Sequence, residues 1–215
     1  MKSLVVFDLD GTLLNTIDDL GMAVNHALRS HGFPEHPASA YNMMVGNGVK
    51  RLIERAIPSE SRSDENLSKL LDSFREFYDE HLCDKTVPYP GITELLAELG
   101  QRGVGMAVAS NKYESAVRRL ISNFFPDVDF AAVCGQIEGF PPKPDPSIVF
   151  RLLTEAPTPK ANVIYVGDSA VDIETARRAC VDSVAVTWGF RPQYELAAAN
   201  PNFIISAPSE LLTLL

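Results

Sequence analysis

In the stretch Leu4-Val5-Val6-Phe7-Asp8-Leu9-Asp10-Gly11-Thr12-Leu13, a short apolar run ends abruptly in two carboxylates one residue apart, followed by glycine. Consecutive apolar residues rich in Val and Phe describe a strand buried on both faces. Asp8 and Asp10 then lie at and just beyond its carboxyl end, where open α/β sheets hold their ligands. With no Lys or Arg adjacent in sequence, two acids there repel each other unless a cation joins them. Taken alone, the segment also suits a strand followed by an ordinary Asp-Gly turn. The rest of the chain decides between the two.

Working outward, residues 16–84 carry only helical spacing. Leu20, Ala23, Val24, Ala27 and Leu28 form one face, and residues 38–45 suggest a short helix stopped by Gly46-Asn47-Gly48. Val49, Leu52, Ile53 and Ala56 mark another helix, and Leu67, Leu70, Leu71, Phe74, Phe77, Tyr78 and Leu82 a longer one. Past Pro88-Tyr89-Pro90-Gly91 the texture changes to alternating helices and strands. Strands are expected over 105–109, 130–134, 163–166, 183–187 and 203–205, with helices between most of them. That rhythm implies a parallel sheet with right-handed crossovers. The expected architecture is α/β, a three-layer α/β/α Rossmann-like core built from residues 1–14 and 88–215. An all-helical cap domain, residues 15–87, interrupts it, with hinges near Leu14-Asn15 and between Val87 and Gly91.

Composition narrows the function classes. The chain has 215 residues and a formal charge of −9, which argues against a nucleic-acid partner. No apolar run approaches a membrane span, and Met1-Lys2-Ser3 leaves no room for a signal peptide before the strand, so a cytoplasmic protein is expected. Cys83, Cys134 and Cys180 are widely spaced, without a CxxC pair, as reduced thiols of the core or of helices would be. The histidines (26, 31, 36 and 81) lie in the helical block with no ligand spacing. A negatively charged protein acting on an anion needs a metal ion and a few local cations to recruit it.

Three expected strands carry polar residues just beyond their apolar runs: Asp8 and Asp10, Ser110 and Asn111, and Asp168. A further polar point, Lys143, lies in Pro141-Pro142-Lys143-Pro144-Asp145-Pro146, a loop stiffened by its prolines. In a parallel sheet all carboxyl ends share one edge, so these groups can converge. Asp8-Leu9-Asp10-Gly11-Thr12, Ser110-Asn111, Lys143-Pro144 and Gly167-Asp168-Ser169-Ala170-Val171-Asp172, in that order, resemble the motifs of the haloacid dehalogenase superfamily of aspartate-nucleophile phosphatases, of the kind with a helical cap after the first motif. The resemblance covers essentially the whole chain.

The resemblance implies a nucleophile at Asp8, a general acid/base at Asp10, and a catalytic Lys143 that offsets charge on Asp8 and on the transferring group. It implies Mg²⁺ between Asp8, Asp168 and the backbone carbonyl of Asp10, with Asp172 acting behind it or through a metal-bound water. Ser110, with backbone amides such as those of Asn111 and Leu9, would bind phosphate oxygens. Other roles remain open for several of these residues. Ser110 could cap the next helix, Lys143 could be a solvated loop lysine, and Asp172 could be an ordinary first-turn acid.

The second acid selects the reaction. Halide leaves without a proton, so Asp10 points to a small phosphorylated metabolite instead of a haloacid. A sugar phosphomutase of the same scaffold would carry a histidine in the first cap helix, where Leu20 stands here; the nearest is His26. Val45-Gly46-Asn47-Gly48 resembles the cap string of phosphoglycolate phosphatases, in which that loop closes over the substrate carboxylate. Gly46, Asn47 and Gly48 would present backbone amides, and Lys50, Arg51 or Arg55 could add charge; the string also suits a plain helix–helix turn. Two departures from the family pattern are Trp188-Gly189-Phe190-Arg191, which bears on substrate choice, and Cys180 in place of a helix-ending glycine. The leading expectation is a Mg²⁺-dependent phosphomonoester hydrolase, phosphoglycolate first among substrates, working as a monomer or homodimer. A phosphomutase, an inorganic pyrophosphatase and a catalytically silent binding relative are the alternatives.

Overall fold

The computed structural model describes residues 2–215. The opening run forms strand β1 (Leu4–Phe7), buried at every position. A two-residue strand β2 (Leu14–Asn15) leads into helix α1 (Ile17–Ser30), a 3₁₀ helix (Ala38–Met43), α2 (Val49–Ala56) and α3 (Asp64–His81), and β3 (Val87–Pro88) leads out. Then follow α4 (Ile92–Gln101), β4 (Gly105–Tyr113), α5 (Glu114–Phe124), β5 (Ala132–Gln136), α6 (Ser147–Glu155), β6 (Val163–Gly167), α7 (Ala170–Ala179), β7 (Asp182–Val186), α8 (Gln193–Ala198) and β8 (Phe203–Ile205).

Six strands form one sheet in the order β5-β4-β1-β6-β7-β8, and every pair in it is parallel. Alternation along β1 sends Val5 and Phe7 into one apolar cluster with α4 and α5, and Leu4 and Val6 into another with α6 and α7. The result is the three-layer α/β/α architecture expected. The chain leaves β1 for β4 and β5 on one side, then returns to β6 on the other. The strand order thus reverses at β1, which places a crevice at the carboxyl ends of β1, β4 and β6.

The helical insert enters and leaves through a narrow neck. There β2 and β3 pair antiparallel, Leu14 opposite Pro88 and Asn15 opposite Val87. Asp19, which sequence spacing marks only as a first-turn acid, is fully buried at this neck. It accepts hydrogen bonds from the backbone N–H groups of Lys85 and Thr86 and from the Thr86 hydroxyl, tying the start of α1 to the returning chain. One apolar cluster runs without interruption from Val5 and Phe7 through Leu13, Leu14 and Leu20 to Phe74 and Tyr78 of α3.

Several expected elements differ in extent. Residues 38–45 do not form an α-helix: the segment is a short 3₁₀ turn pinned by buried Tyr41, whose ring packs where a side chain at Gly21 would stand. Strand β4 runs on to Tyr113, past the expected end at residue 109, and β5 begins at Ala132 because residues 128–130 turn back on themselves. Cys134 is buried, whereas Cys83 and Cys180 are exposed; Cys180 ends α7 in the left-handed conformation usual for glycine. None of the described helices is long and apolar enough to cross a membrane.

Candidate active site

Asp8 follows β1 directly, and its N–H still donates to Val166 O, so the β1–β6 ladder fixes its backbone. Asp168 follows β6, and Asp172 sits in the first turn of α7. One carboxylate oxygen from each lies within 4.8 Å of the others, and all three residues are buried. Lys143, 3% exposed, reaches this cluster from the proline-rich loop. Its Nζ lies 2.9 Å from Asp8 Oδ1 and 2.7 Å from Asp172 Oδ1, and it also donates to Ala109 O and to the Tyr165 hydroxyl. A solvated lysine is thereby excluded. Asp172 is a first-turn acid of α7, its Oδ2 closing a capping box with the Ser169 N–H and hydroxyl, and its Oδ1 also holds Lys143.

Three buried carboxylates gather round one ammonium, which when all are ionised leaves the group two negative charges in excess. The electrostatics follow. Burial, then the neighbouring Asp172 charge, pushes Asp168 up to about 7. The same causes raise Asp8 well above its usual range despite Lys143 beside it. Burial opposes the charge on Lys143, but Asp172 and Asp8 outweigh it and hold the ammonium well above its ordinary range. Oxygen donors converging with an excess charge of this sign and size suit a hard divalent cation. The residues present therefore fit the expected metal.

Close backbone packing shapes the pocket. Gly11 has φ +85°, and a Cβ there would lie 2.2 Å from Asp168 Oδ2; one at Gly189 would lie 2.3 Å from Asp168 Cβ. The Phe190 N–H donates to Asp168 Oδ2 at 2.7 Å, so the Trp188–Arg191 loop aims this carboxylate.

Asp10 turns away from the acidic cluster. Its Oδ1 accepts from the Thr16 hydroxyl at 2.6 Å and lies 3.1 Å from Lys112 Nζ. Lys112 also donates to the Tyr78 hydroxyl of α3 at 2.9 Å. Burial, with the Asp10 and Asp19 charges, raises the Tyr78 phenol well above its usual range and keeps it protonated.

The carboxyl end of β4 leaves the sheet. Ala109 pairs with Cys134 and Tyr113 with Gln136, so residues 110–112 lie in a register shift without partners on β5. Ser110 is buried here, 1% exposed, and does not cap α5, which begins at Glu114. The Asn111 side chain is a clamp: it accepts from the Lys143 N–H and donates to Lys143 O and Gly46 O, holding the lysine loop against the insert. The Leu9 N–H, expected to serve phosphate, donates to Asp8 Oδ1 at 2.7 Å.

A cavity lies between this edge and the insert. Asp8, Asp10, Ser110, Asn111 and Lys112 line its floor; Leu20, Val45, Gly46, Gly48, Val49 and Leu52 line its roof. Asn47 is not among them: its side chain accepts from Arg55, which also bonds Met44 O and so pins the loop from outside. Lys50 and Arg51 are exposed, Arg51 pairing with Glu54, and neither lines the cavity. The histidines also lie outside it; His26 and His81 stack on Phe77. Sequence reasoning gave no role to Lys112 or Arg191. Arg191 donates from the core to Asn42 O and Val45 O, latching the roof loop. Its place in Trp188-Gly189-Phe190-Arg191, a departure already visible, was the one signal available.

The family model of haloacid dehalogenase-like hydrolases matches residues 5–186. Phosphoglycolate phosphatases of Mesorhizobium japonicum and Pasteurella multocida are 33% and 31% identical, over 95% and 99% of this chain and 91% and 97% of their own. The crystal structure of a protein from Lactobacillus delbrueckii subsp. bulgaricus, provisionally assigned as a phosphoglycolate phosphatase, superposes with a TM-score of 0.92 at 31% identity, covering 98% of this chain and 97% of that one. With its motifs, sheet order and acidic edge all of one kind, the chain belongs to the haloacid dehalogenase-like hydrolases.

Proposed function

We propose that this hydrolase is a Mg²⁺-dependent phosphoglycolate phosphatase that works through a phosphorylated Asp8. The observation that carries the reading is the meeting of Asp8, Asp10, Lys143 and Asp168 at one sheet edge, under a small, largely apolar roof. Phosphatases similar along the whole chain support the substrate class.

An Asp8 carboxylate oxygen attacks phosphorus while the bond to the ester oxygen breaks, and Asp10 gives that oxygen its proton. Water then attacks the aspartyl phosphate; Asp10 takes a proton from it, and inorganic phosphate leaves. Lys143 balances charge on Asp8 as the phosphoryl group arrives. Ser110, whose hydroxyl also accepts from the Lys112 N–H, and the Asn111 N–H in the β4 register shift would bind phosphoryl oxygens. Asp8, Asp168 and the Asp10 carbonyl would hold Mg²⁺, with Asp172 beside it, and the ion would neutralise charge between anionic nucleophile and anionic ester. The substrate carboxylate would meet the backbone of Gly46–Gly48 at the start of α2, where unpaired N–H groups and the helix dipole favour an anion. The helical block of residues 15–87 would act as a cap domain, closing over the substrate about the β2–β3 neck.

Leu20 in the cavity roof, with His26 turned to Phe77, disfavours the mutase alternative. A screen of phosphate release from metabolite esters, with Mg²⁺ and with chelator, tests the reading. 2-Phosphoglycolate should lead the panel, activity should vanish with chelator, and Asp8→Asn should abolish turnover while the fold persists. Near-normal activity of Asp8→Asn would overturn the nucleophile.

A further inference from the structure

We propose that Lys112 is a positioning residue that orients Asp10 for proton transfer and, through Tyr78, makes that orientation depend on the seating of the helical insert. The proposal rests on the acid/base reading of Asp10 given above.

Lys112 lies where β4 leaves the β5 register, just past Met106 and Val108, which enter the core cluster shared with the insert. It is 4% exposed, and its ammonium lies 4.7 Å from the centroid of the Tyr78 ring. Tyr78 is fully buried and stacked on Phe74 at 5.3 Å, so its hydroxyl moves only with α3. Lys143 is occupied by Asp8 and Asp172, which leaves Lys112 as the cation on Asp10 among the described ion pairs.

Both described partners of the Asp10 side chain, Lys112 and Thr16, fall on Oδ1. Oδ2 is the oxygen left to carry a proton towards the cavity. As the ester bond breaks, the proton passes from Oδ2 to the departing oxygen, and the carboxylate produced keeps its ammonium partner. In hydrolysis of the aspartyl phosphate the proton returns from water to the same oxygen. If the insert lifts, α3 takes the Tyr78 hydroxyl with it, and Lys112 loses one of the two oxygens that fix its head. Asp10 would then be held for catalysis only under a seated insert.

The test separates leaving groups. An alkoxide needs a proton to depart, whereas p-nitrophenolate is stable as an anion in neutral water. Values of kcat/KM for 2-phosphoglycolate and for p-nitrophenyl phosphate are compared in wild type, Lys112→Met, Tyr78→Phe, Asp10→Asn and the Asp10→Asn/Lys112→Met double variant. Lys112→Met should lower the ratio of alkyl to aryl activity by about 30-fold, within the span of a general-acid contribution. Tyr78→Phe, the milder change should the first variant fold poorly, should lower it by about threefold. The double variant should be no worse than Asp10→Asn alone. Equal losses on both esters would overturn the proposal in favour of direct substrate binding or a structural role, as would a further loss on the Asp10→Asn background. The wild type alone decides the substrate reading. Should another alkyl phosphate prove to be its substrate, the same ratio is measured with that ester.

Discussion

Lys143 carries an ammonium into a place where burial alone would expel it, and it stays because Asp8 and Asp172 converge on it. Replacing it by Met leaves three carboxylates without their cation. Uncompensated buried charge costs roughly 3 kcal/mol or more, so Lys143→Met should unfold at clearly lower denaturant as well as lose turnover. Denaturant melts at neutral pH in the absence of metal check this. A neutral loss of activity without loss of stability would mean that the cluster relaxes by taking up protons. Lys143 was legible in the sequence because a stiff proline loop and a family motif surround it. Lys112 was not, although it is equally buried: its partners, Asp10 and Tyr78, stand 102 and 34 positions away in sequence, and no local pattern joins them.

At the scale of elements, the decisive contacts cross between layers. The Trp188–Arg191 loop after β7 does two things at once: Phe190 aims Asp168 through its N–H, and Arg191 grips the roof loop through Asn42 O and Val45 O. A lysine has no planar fork to span two carbonyls. Arg191→Lys should therefore raise KM for the substrate several-fold, about fivefold for the loss of one to two hydrogen bonds, with a smaller change in kcat. Steady-state kinetics with both parameters resolved will read this. The helices of the insert were legible from apolar spacing, and so was the change to alternating strands at residue 88. Extents were less so, because tertiary packing set them: Tyr41 against Gly21 tightened one turn, and the register shift after Ala109 lengthened β4. The shift matters more than its size suggests, since it releases residues 110–112 from β5 beside the cavity and turns the Lys112 N–H to Ser110 Oγ.

For the whole molecule, the excess negative charge at the sheet edge makes metal binding a matter of stability too. A cation that binds the folded state alone adds RT ln(1 + [L]/Kd), about 2.7 kcal/mol at a hundredfold excess over Kd. Thermal unfolding should shift upward by several degrees in saturating Mg²⁺ relative to chelator, and Asp168→Asn should flatten the response. An unchanged melting temperature on adding Mg²⁺ would speak against the acidic edge as the metal site. The parallel sheet and the convergence of Asp8, Ser110, Lys143 and Asp168 at one edge were expected from strand ends and the family motifs, whereas the full strand order was not. The roof did not follow in the same way. Asn47 and the basic residues 50, 51 and 55 looked suited to an anion, yet the fold turns them to the outside and leaves backbone and apolar side chains within.

The apolar cluster that runs unbroken from β1 into α3 also bears on the energetics of ligand capture. Leu20, Val45, Val49 and Leu52 meet the substrate side, so any opening of the roof wets hydrocarbon that closure dries again. Titration calorimetry over a range of temperatures should record this as a negative change in heat capacity on binding, larger than so small and polar a ligand could produce by its own contact area.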